Sequence, residues 1–447
     1  MQYGEQTRRL LSFGAQRSRA LFLFAVLFSA TSVPPALAGD GKSDPPRADT
    51  PPDCSSATVA AGDDDGATDC KSPTQAESAA FQRNEREEAS LAIAENAQGT
   101  FLLRKLLGER RLHWFGRIEG EGAMYDLPAL DGENGVEIRR FRVGLVGWSP
   151  LLDRLSWKVS VDLADRDVTI ADVYLNFDFG RKGTLIVGNQ DGSQSLSSDT
   201  GSLSLLFMES PLMIQAFGLA KRVGASYSWT GERSGAFALA FSRDLNSDAK
   251  HKGLTGRAWF NPYRTQGGVW HVGGSILRED ISDETGLSTR PESHVTDVFL
   301  VDTGKWDDVA SNRRLGLELA GAIGSFTTRF EYMRNDWKRD DGSRNHFRGA
   351  YLEGGYFFGG VPFRYHNGQF MRPDLAGYGV AYEVAWRYSW IDLNDGEIRG
   401  GEERNLGLAF NVYPHTGLRI QSNLILVNAD QPGGDGLLLQ ARLQFNW

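Results

Sequence analysis

Arg140 and Arg142 stand two residues apart in the stretch Ile138-Arg139-Arg140-Phe141-Arg142-Val143-Gly144. On an extended chain residues i and i+2 share a face, so the two guanidiniums point the same way. Like charges held that close repel, and a wet, anion-rich surface suits them. Guanidinium also pairs bidentately with phosphate oxygens. The same parity places Lys158, Arg222, Arg257, Arg329, Arg387 and Arg419 on the polar face of their segments, with Arg117 and Arg442. Rings of such side chains lower the barrier to anions and exclude cations. On the same faces stand Glu119, Glu121, Asp162, Asp172, Asp178, Glu318, Glu331, Glu353 and Glu383. Ten bases against nine acids leave a second role for any one arginine, an ordinary cross-strand ion pair.

Other chemistry finds little footing. His113, His251, His271, His294, His346, His366 and His415 form no HExxH or paired metal spacing. No GxSxG or P-loop occurs. The Asp63-Asp64-Asp65 run lacks the glycine and distal glutamate of a calcium loop. No catalytic residue, metal or cofactor is expected.

The elements that position these charges are strands. From residue 112 the sequence falls into segments of about ten residues that alternate apolar and polar, the length of tilted membrane-spanning strands. Tyr382, Val384, Trp386, Tyr388 and Trp390 alternate with Glu383, Arg387 and Ser389; Leu439, Ala441, Leu443, Phe445 and Trp447 alternate with Gln440, Arg442, Gln444 and Asn446. Aromatics gather near segment ends, as an interfacial girdle requires. The spacing predicts strands at 112–122, 136–147, 154–164, 168–179, 183–190, 221–229, 235–243, 252–261, 268–277, 312–321, 325–334, 347–357, 379–391, 404–413, 417–427 and 436–447. These sixteen make an all-β fold, a transmembrane antiparallel β-barrel over 111–447, wide enough for an aqueous channel. Lipid-facing arginine costs roughly 2–4 kcal/mol at the midplane, so the polar faces turn inward. Long outer loops are expected at 191–220 and 278–311, and one long connection, 358–378, on the periplasmic side.

Ahead of the barrel, Arg8, Arg9, Arg17 and Arg19 precede the apolar stretch Ala20–Ala30 and the small-residue site Ala36-Leu37-Ala38. That order is a secretory signal peptide, 1–38. Residues 39–110 are expected to be a linker rich in Pro, Asp, Gly and Ser, then a short periplasmic helix from 75. Cys54 and Cys70 lie in that linker, where an oxidising compartment permits a disulfide. Without the leader the charge is −12, and beyond residue 100 it is −4, from 39 bases and 43 acids. The basic footprint of a nucleic-acid binder is missing. Export without an apolar span of eighteen residues leaves a barrel or a soluble exported protein.

Several ordered stretches give a family resemblance. They are Ile138–Gly144, Ala171-Asp172-Val173-Tyr174-Leu175, Phe207-Met208-Glu209, and Phe299–Gly304 followed by Leu317-Glu318-Leu319-Ala320. The C-terminal third adds Arg387-Tyr388-Ser389, Asp392-Leu393-Asn394-Asp395, Gly400-Gly401 and Asn411-Val412-Tyr413-Pro414. Together they resemble the phosphate-selective porin O/P family over 112–447. The resemblance implies a homotrimeric outer-membrane porin of sixteen strands per subunit, embedded in outer-membrane lipid and passing small inorganic or organic anions such as phosphate. It also implies a third outer loop that folds inward. Two places depart. Val187-Gly188-Asn189-Gln190 is followed by Asp191-Gly192-Ser193 where the family often has Lys-Pro-Phe, and Phe358-Gly359-Gly360 stands where it usually shows LTGE. No Lys or Arg lies between Gly183 and Ala220, while Asp191, Asp199 and Glu209 do. The expectation is therefore at most a modest anion preference. A general or cation porin, an outer-membrane barrel enzyme and a plugged structural barrel are the alternatives.

Overall fold

The computed structural model describes residues 112–149, 152, 154–164, 168–246 and 251–447. The expected leader, the linker and helix of 39–110, and Cys54 with Cys70 lie outside the described residues.

Alternation produces one antiparallel sheet. Its strands are β1 Leu112–Asp126, β2 Gly135–Trp148, β3 Leu155–Asp162, β4 Thr169–Asp178, β5 Thr184–Gln190, β6 Arg222–Thr230, β7 Ser234–Arg243 and β8 Lys252–Phe260. They continue as β9 Gly268–Asp280, β10 Val309–Ile323, β11 Phe326–Arg339, β12 Arg344–Phe358, β13 Ala381–Asp395, β14 Ile398–His415, β15 Leu418–Ala429 and β16 Gly436–Asn446. A two-residue strand, Arg264–Thr265, also pairs with β9. The sheet closes because β16 pairs with β1, from Arg117↔Asn446 to Asp126↔Leu437. Closure leaves no edge group unpaired in lipid.

All sixteen expected strands are present. β13 and β14 run further than their alternation implied, joined by a tight turn at Gly396 with Asn394↔Arg399 and Asp395↔Ile398 still paired. Polar residues 392–403 read as loop; above the lipid, a polar outward face does not oppose pairing.

Burial follows the period of two. Trp386 and Tyr388 are exposed on the outside while Arg387 between them is buried. Inside, the barrel is asymmetric. Trp337, Phe347, Tyr351, Ile391, Leu393, Val427 and Leu438 are buried in one cluster with Leu212, Met213, Ile214 and Phe217 of the third outer loop. The fifth outer loop joins it through Leu287, Leu300 and Val301. From the opposite end, residues 359–380 also turn inward. They carry a small hairpin, Arg364–His366 paired with Gln369–Met371. Asn367 and Gly368 both have positive φ, 49° and 82°, as the favoured two-residue hairpin turn requires. A Cβ on Gly368 would lie 2.6 Å from the Trp259 ring. The hairpin's Phe370 packs with Leu196 of the third loop.

Candidate ion pathway

The third loop, residues 191–221, holds two short helices, α1 Leu196–Thr200 and α2 Leu212–Phe217. Burying the four apolar side chains Leu212, Met213, Ile214 and Phe217 contributes roughly 6–12 kcal/mol, at about 1.5–3 each. The loop is therefore a fixed wall. Hydrogen bonds set its position. The Glu331 carboxylate accepts from the amides of Leu196 and Ser197, and Ser389 Oγ from that of Leu212. Four neighbouring strands then each send one donor to the stretch Leu205–Glu209. Arg387 of β13 donates to the Glu209 carbonyl (2.9 Å), Asn411 of β14 to Leu206 (2.9 Å), Arg419 of β15 to Leu205 (2.8 Å) and Arg442 of β16 to Met208 (2.6 Å).

These contacts decide where the basic residues stand. Arg257, Arg329, Arg387 and Arg419 face inward as their parity implies, but loops and hairpin cover them. Arg257 pairs with Glu318 at 2.7 Å and Asp199 at 2.6 Å, and donates to the Gly368 carbonyl. Arg329 lies 3.4 Å from Glu353 and over the Phe370 ring. Arg387 pairs with Glu353 at 2.8 Å and stacks on Phe207; Arg419 reaches Glu383 at 3.4 Å. Their side chains are at most 3% exposed. Arg442 is enclosed with Glu121 and Glu209. These five are removed from lumen water by the inward segments, a consequence that strand parity alone does not carry.

Arg140, Arg142, Lys158 and Arg222, on β2, β3 and β6, keep side chains 12–28% exposed. Each has a carboxylate partner: Glu119 at 2.7 Å, Asp162 at 3.1 Å, Asp172 at 3.0 Å and Asp244 at 3.1 Å, respectively. The partners are not equally wet. Side-chain exposure is 16% against 0% for Arg140–Glu119, 25% against 12% for Arg142–Asp162 and 28% against 6% for Lys158–Asp172. Arg222 breaks the pattern with 12% against 15% for Asp244.

Two further bases join this wall. Lys221 bridges Asp172 at 2.7 Å and Asp191. It lies one residue beyond the base-free span of the third loop, so inspection of that span alone overlooks it. Arg139 also turns inward, 3.1 Å from Glu209. An irregularity in the β1–β2 register between Glu119 and Gly120 lets consecutive Arg139 and Arg140 face the same side, as a bulge does. Period-two counting puts Arg139 outside.

The acids of the third loop are largely neutralised. Asp199 is held by Arg257, and Glu209 by Arg139 and Arg442. Burial opposes ionisation of Glu209, but the combined guanidiniums of Arg139, Arg442 and Arg140 outweigh it and hold its carboxyl well below the usual range. Asp191 alone of the three is widely exposed, beside Lys221. Glu121, Glu137 and His294 could offer a metal three ligand atoms within 4.8 Å. In the structure Glu121 pairs with Arg442 and Glu137 with His294 at 2.7 Å, which ties the fifth loop to the β1–β2 wall.

Sixteen strands thus close into a barrel whose third loop folds inward. Residues 116–447 match the family described as phosphate-selective porin O and P. The chain belongs to this family. The porin forms a water-filled channel in the bacterial outer membrane, and family and fold alike point to a channel rather than an enzyme. An uncharacterized protein of Caulobacter vibrioides is 29% identical over 346 residues, covering 72% of the porin and 69% of that chain. Among solved structures, a loop L8 deletion mutant of OmpT, an outer membrane protein of Vibrio cholerae, aligns with TM-score 0.52 and 13% identity over 75% of the porin and 99% of that chain. An anion-selective porin from Comamonas acidovorans aligns with TM-score 0.51 and 12% identity, again over 75% and 99%. At those identities the likeness is one of fold.

Proposed function

We propose that the porin passes small anions, with a modest preference over cations, along the wall of β2–β6. Arg140, Arg142, Lys158, Lys221 and Arg222 are the groups that anions meet. The observation that carries this reading is the unequal exposure within the ion pairs. Arg140, Arg142 and Lys158 each present the cation to water and bury the carboxylate. At these three pairs the wall is basic by contact, while the widely exposed Asp191 beside Lys221 and the evenly matched Arg222–Asp244 pair keep the preference modest. Arg257, Arg387 and Arg419 brace the third loop instead, and Arg329 lies under Phe370 of the inward hairpin.

Phosphate is the solute that family membership suggests, and guanidinium recognises it well. Zero-current potentials across a planar bilayer in asymmetric KCl test the preference. The expected sign favours chloride; a strong cation preference refutes it. Block of the chloride current by low phosphate extends the reading to phosphate, and an absence of conductance steps would make the barrel a plugged structural one. We further propose export through a signal peptide cleaved after Ala38, for which the mature chain begins at Gly39, and assembly as a homotrimer in outer-membrane lipid. The uncharged outward face of β2–β6, with Val136, Ile138, Val159, Val173 and Val187 exposed, suits a subunit contact.

A further inference from the structure

The outside of the barrel carries charges that the channel does not use. On β10 the outward positions Ile323, Leu319, Leu317 and Leu315 are exposed and apolar, and the next outward residue is Arg313. At about 3.3 Å per residue and a tilt near 40°, that apolar run spans roughly 20 Å of height, close to the lipid-facing band of such barrels. The same switch occurs on neighbouring strands. Arg278 follows Val272 and Ile276 on β9, Arg334 follows Phe330 and Tyr332 on β11, and Arg348 follows Leu352 and Ala350 on β12. All four lie toward the end of the barrel that carries the long loops, which is the outer-leaflet side.

Their pairing is unlike that of a solvated rim. Arg278 stands directly opposite Arg313, Arg334 opposite Arg348, and Lys338 opposite Arg344. Like charges directly across a sheet destabilise it, so three such pairs on adjoining strands need an anion from outside. The local acids do not supply enough. Asp336 stands opposite Arg313 but is taken by Arg334 at 2.6 Å and His346 at 2.8 Å, and Asp392 takes Arg348 at 3.3 Å. Arg334 and Arg348 nevertheless remain 47% and 58% exposed. No ion pair is formed by Arg278 or Arg313 among the described residues. The outward positions of β2–β6 carry no charged residue at all, so the charges are confined to one part of the perimeter.

We propose that Arg278, Arg313, Arg334 and Arg348 form a docking surface for the phosphorylated glucosamine headgroups of the outer-leaflet glycolipid. Apolar side chains directly below meet the acyl chains. The guanidiniums at headgroup height take the phosphates, each as a planar fork matched to two phosphate oxygens. Filling each opposed pair with one phosphate turns a repulsion into two charge-assisted contacts.

The test uses the full chain in detergent micelles with bis-phosphorylated lipid A as the probe, its retention read by native mass spectrometry. R278Q/R313Q and R334Q/R348Q are each expected to lower retention about tenfold, and the combined variant more. R334K/R348K, which keeps the charge, is expected to stay within about threefold of the parent. Fully dephosphorylated lipid A is expected to bind weakly to every form. Millimolar inorganic phosphate is expected to leave lipid retention nearly unchanged, since it lacks the acyl contacts. Unaltered retention by folded Gln variants overturns the proposal, as does equal binding of the dephosphorylated lipid. Full displacement by inorganic phosphate, or a change of oligomeric state in place of lipid loss, assigns the arginines elsewhere and overturns it too. Single-channel conductance is expected to be unchanged, because none of the four faces the lumen.

Discussion

Lys158 has the most exposed side chain among the ion-paired bases on the open wall, with its Nζ 3.0 Å from Asp172. Replacing it with glutamate swings the local charge by two units. A permeating monovalent ion about 6 Å away feels roughly 0.7 kcal/mol per unit charge in bulk-like water. The two-unit swing is then about 1.4 kcal/mol, and screening over a Debye length near 10 Å at 0.1 M salt reduces it to about 0.8 kcal/mol. Chloride loses that amount and potassium gains it. Their permeability ratio therefore shifts by about 1.5 kcal/mol, or roughly tenfold, toward the cation. At 1 M salt the Debye length is about 3 Å, and the same arithmetic leaves about a twofold shift. Reversal potentials in KCl gradients centred on the two concentrations measure both. R329Q, buried under Phe370 of the inward hairpin, is the control and is expected to leave the ratio within about twofold. An unchanged ratio in K158E refutes the wall of β2–β6 as the path. A tenfold shift that persists at high salt refutes the electrostatic cause.

The inward segments give three further expectations. R442M leaves Glu121 and Glu209 without their shared partner and removes the donor to the Met208 carbonyl. Breaking a buried pair costs about 3–5 kcal/mol, so hydrogen exchange at amides 205–209 is expected to quicken at least about a hundredfold while the barrel stays closed; unchanged exchange contradicts the stapled loop. In G368A a β-carbon meets the Trp259 ring in a left-handed turn, at a cost of about 1–3 kcal/mol. The hairpin is expected to withdraw and single-channel conductance to rise; unchanged conductance would place the hairpin off the current path. For Glu209 the folded carboxyl is depressed, so its contribution is complete above the ordinary carboxylate range and is lost as pH falls below it. Selectivity is expected to hold down to about pH 4 and loop exchange to quicken only below; quickening near neutral pH counts against the Glu209 clamp.

The strands were legible because lipid imposes a period-two rule on every spanning segment, and Trp386-Arg387-Tyr388 obeys it without exception. The interior was less legible, because three segments from different parts of the chain meet there. Nothing local to Arg387 or Arg419 distinguishes them from Arg142 or Lys158; the difference is that the carbonyls of Leu205 and Glu209 arrive from the third loop. A signal was nevertheless present. In Tyr388-Ser389-Trp390-Ile391-Asp392-Leu393 the apolar character passes from the outward to the inward parity, and Ile391 and Leu393 are the residues that receive the loops. Arg139 was hidden for another reason, since a single irregularity in register reverses the face that counting assigns.

Balanced charge along the wall does not imply an indifferent channel. A carboxylate sits on a short stem close to the sheet, while lysine and arginine extend long stems past it and hold their charge at the water. Pairing across strands therefore buries the acid and presents the base, as Arg140–Glu119 and Lys158–Asp172 show. The pair braces the barrel and still offers a permeating anion a cation at contact distance. On this account, exchanging a pair in place has an asymmetric result. For Arg142 and Asp162, which pair with no other charge within ion-pair distance among the described residues, R142D/D162R would keep the net charge and still hold the base on the longer stem, so anion preference would survive. Removing the acid and keeping the base, as in E119Q, would leave Arg140 without its neutralising partner and raise the preference, read as a reversal potential shifted toward chloride in a KCl gradient.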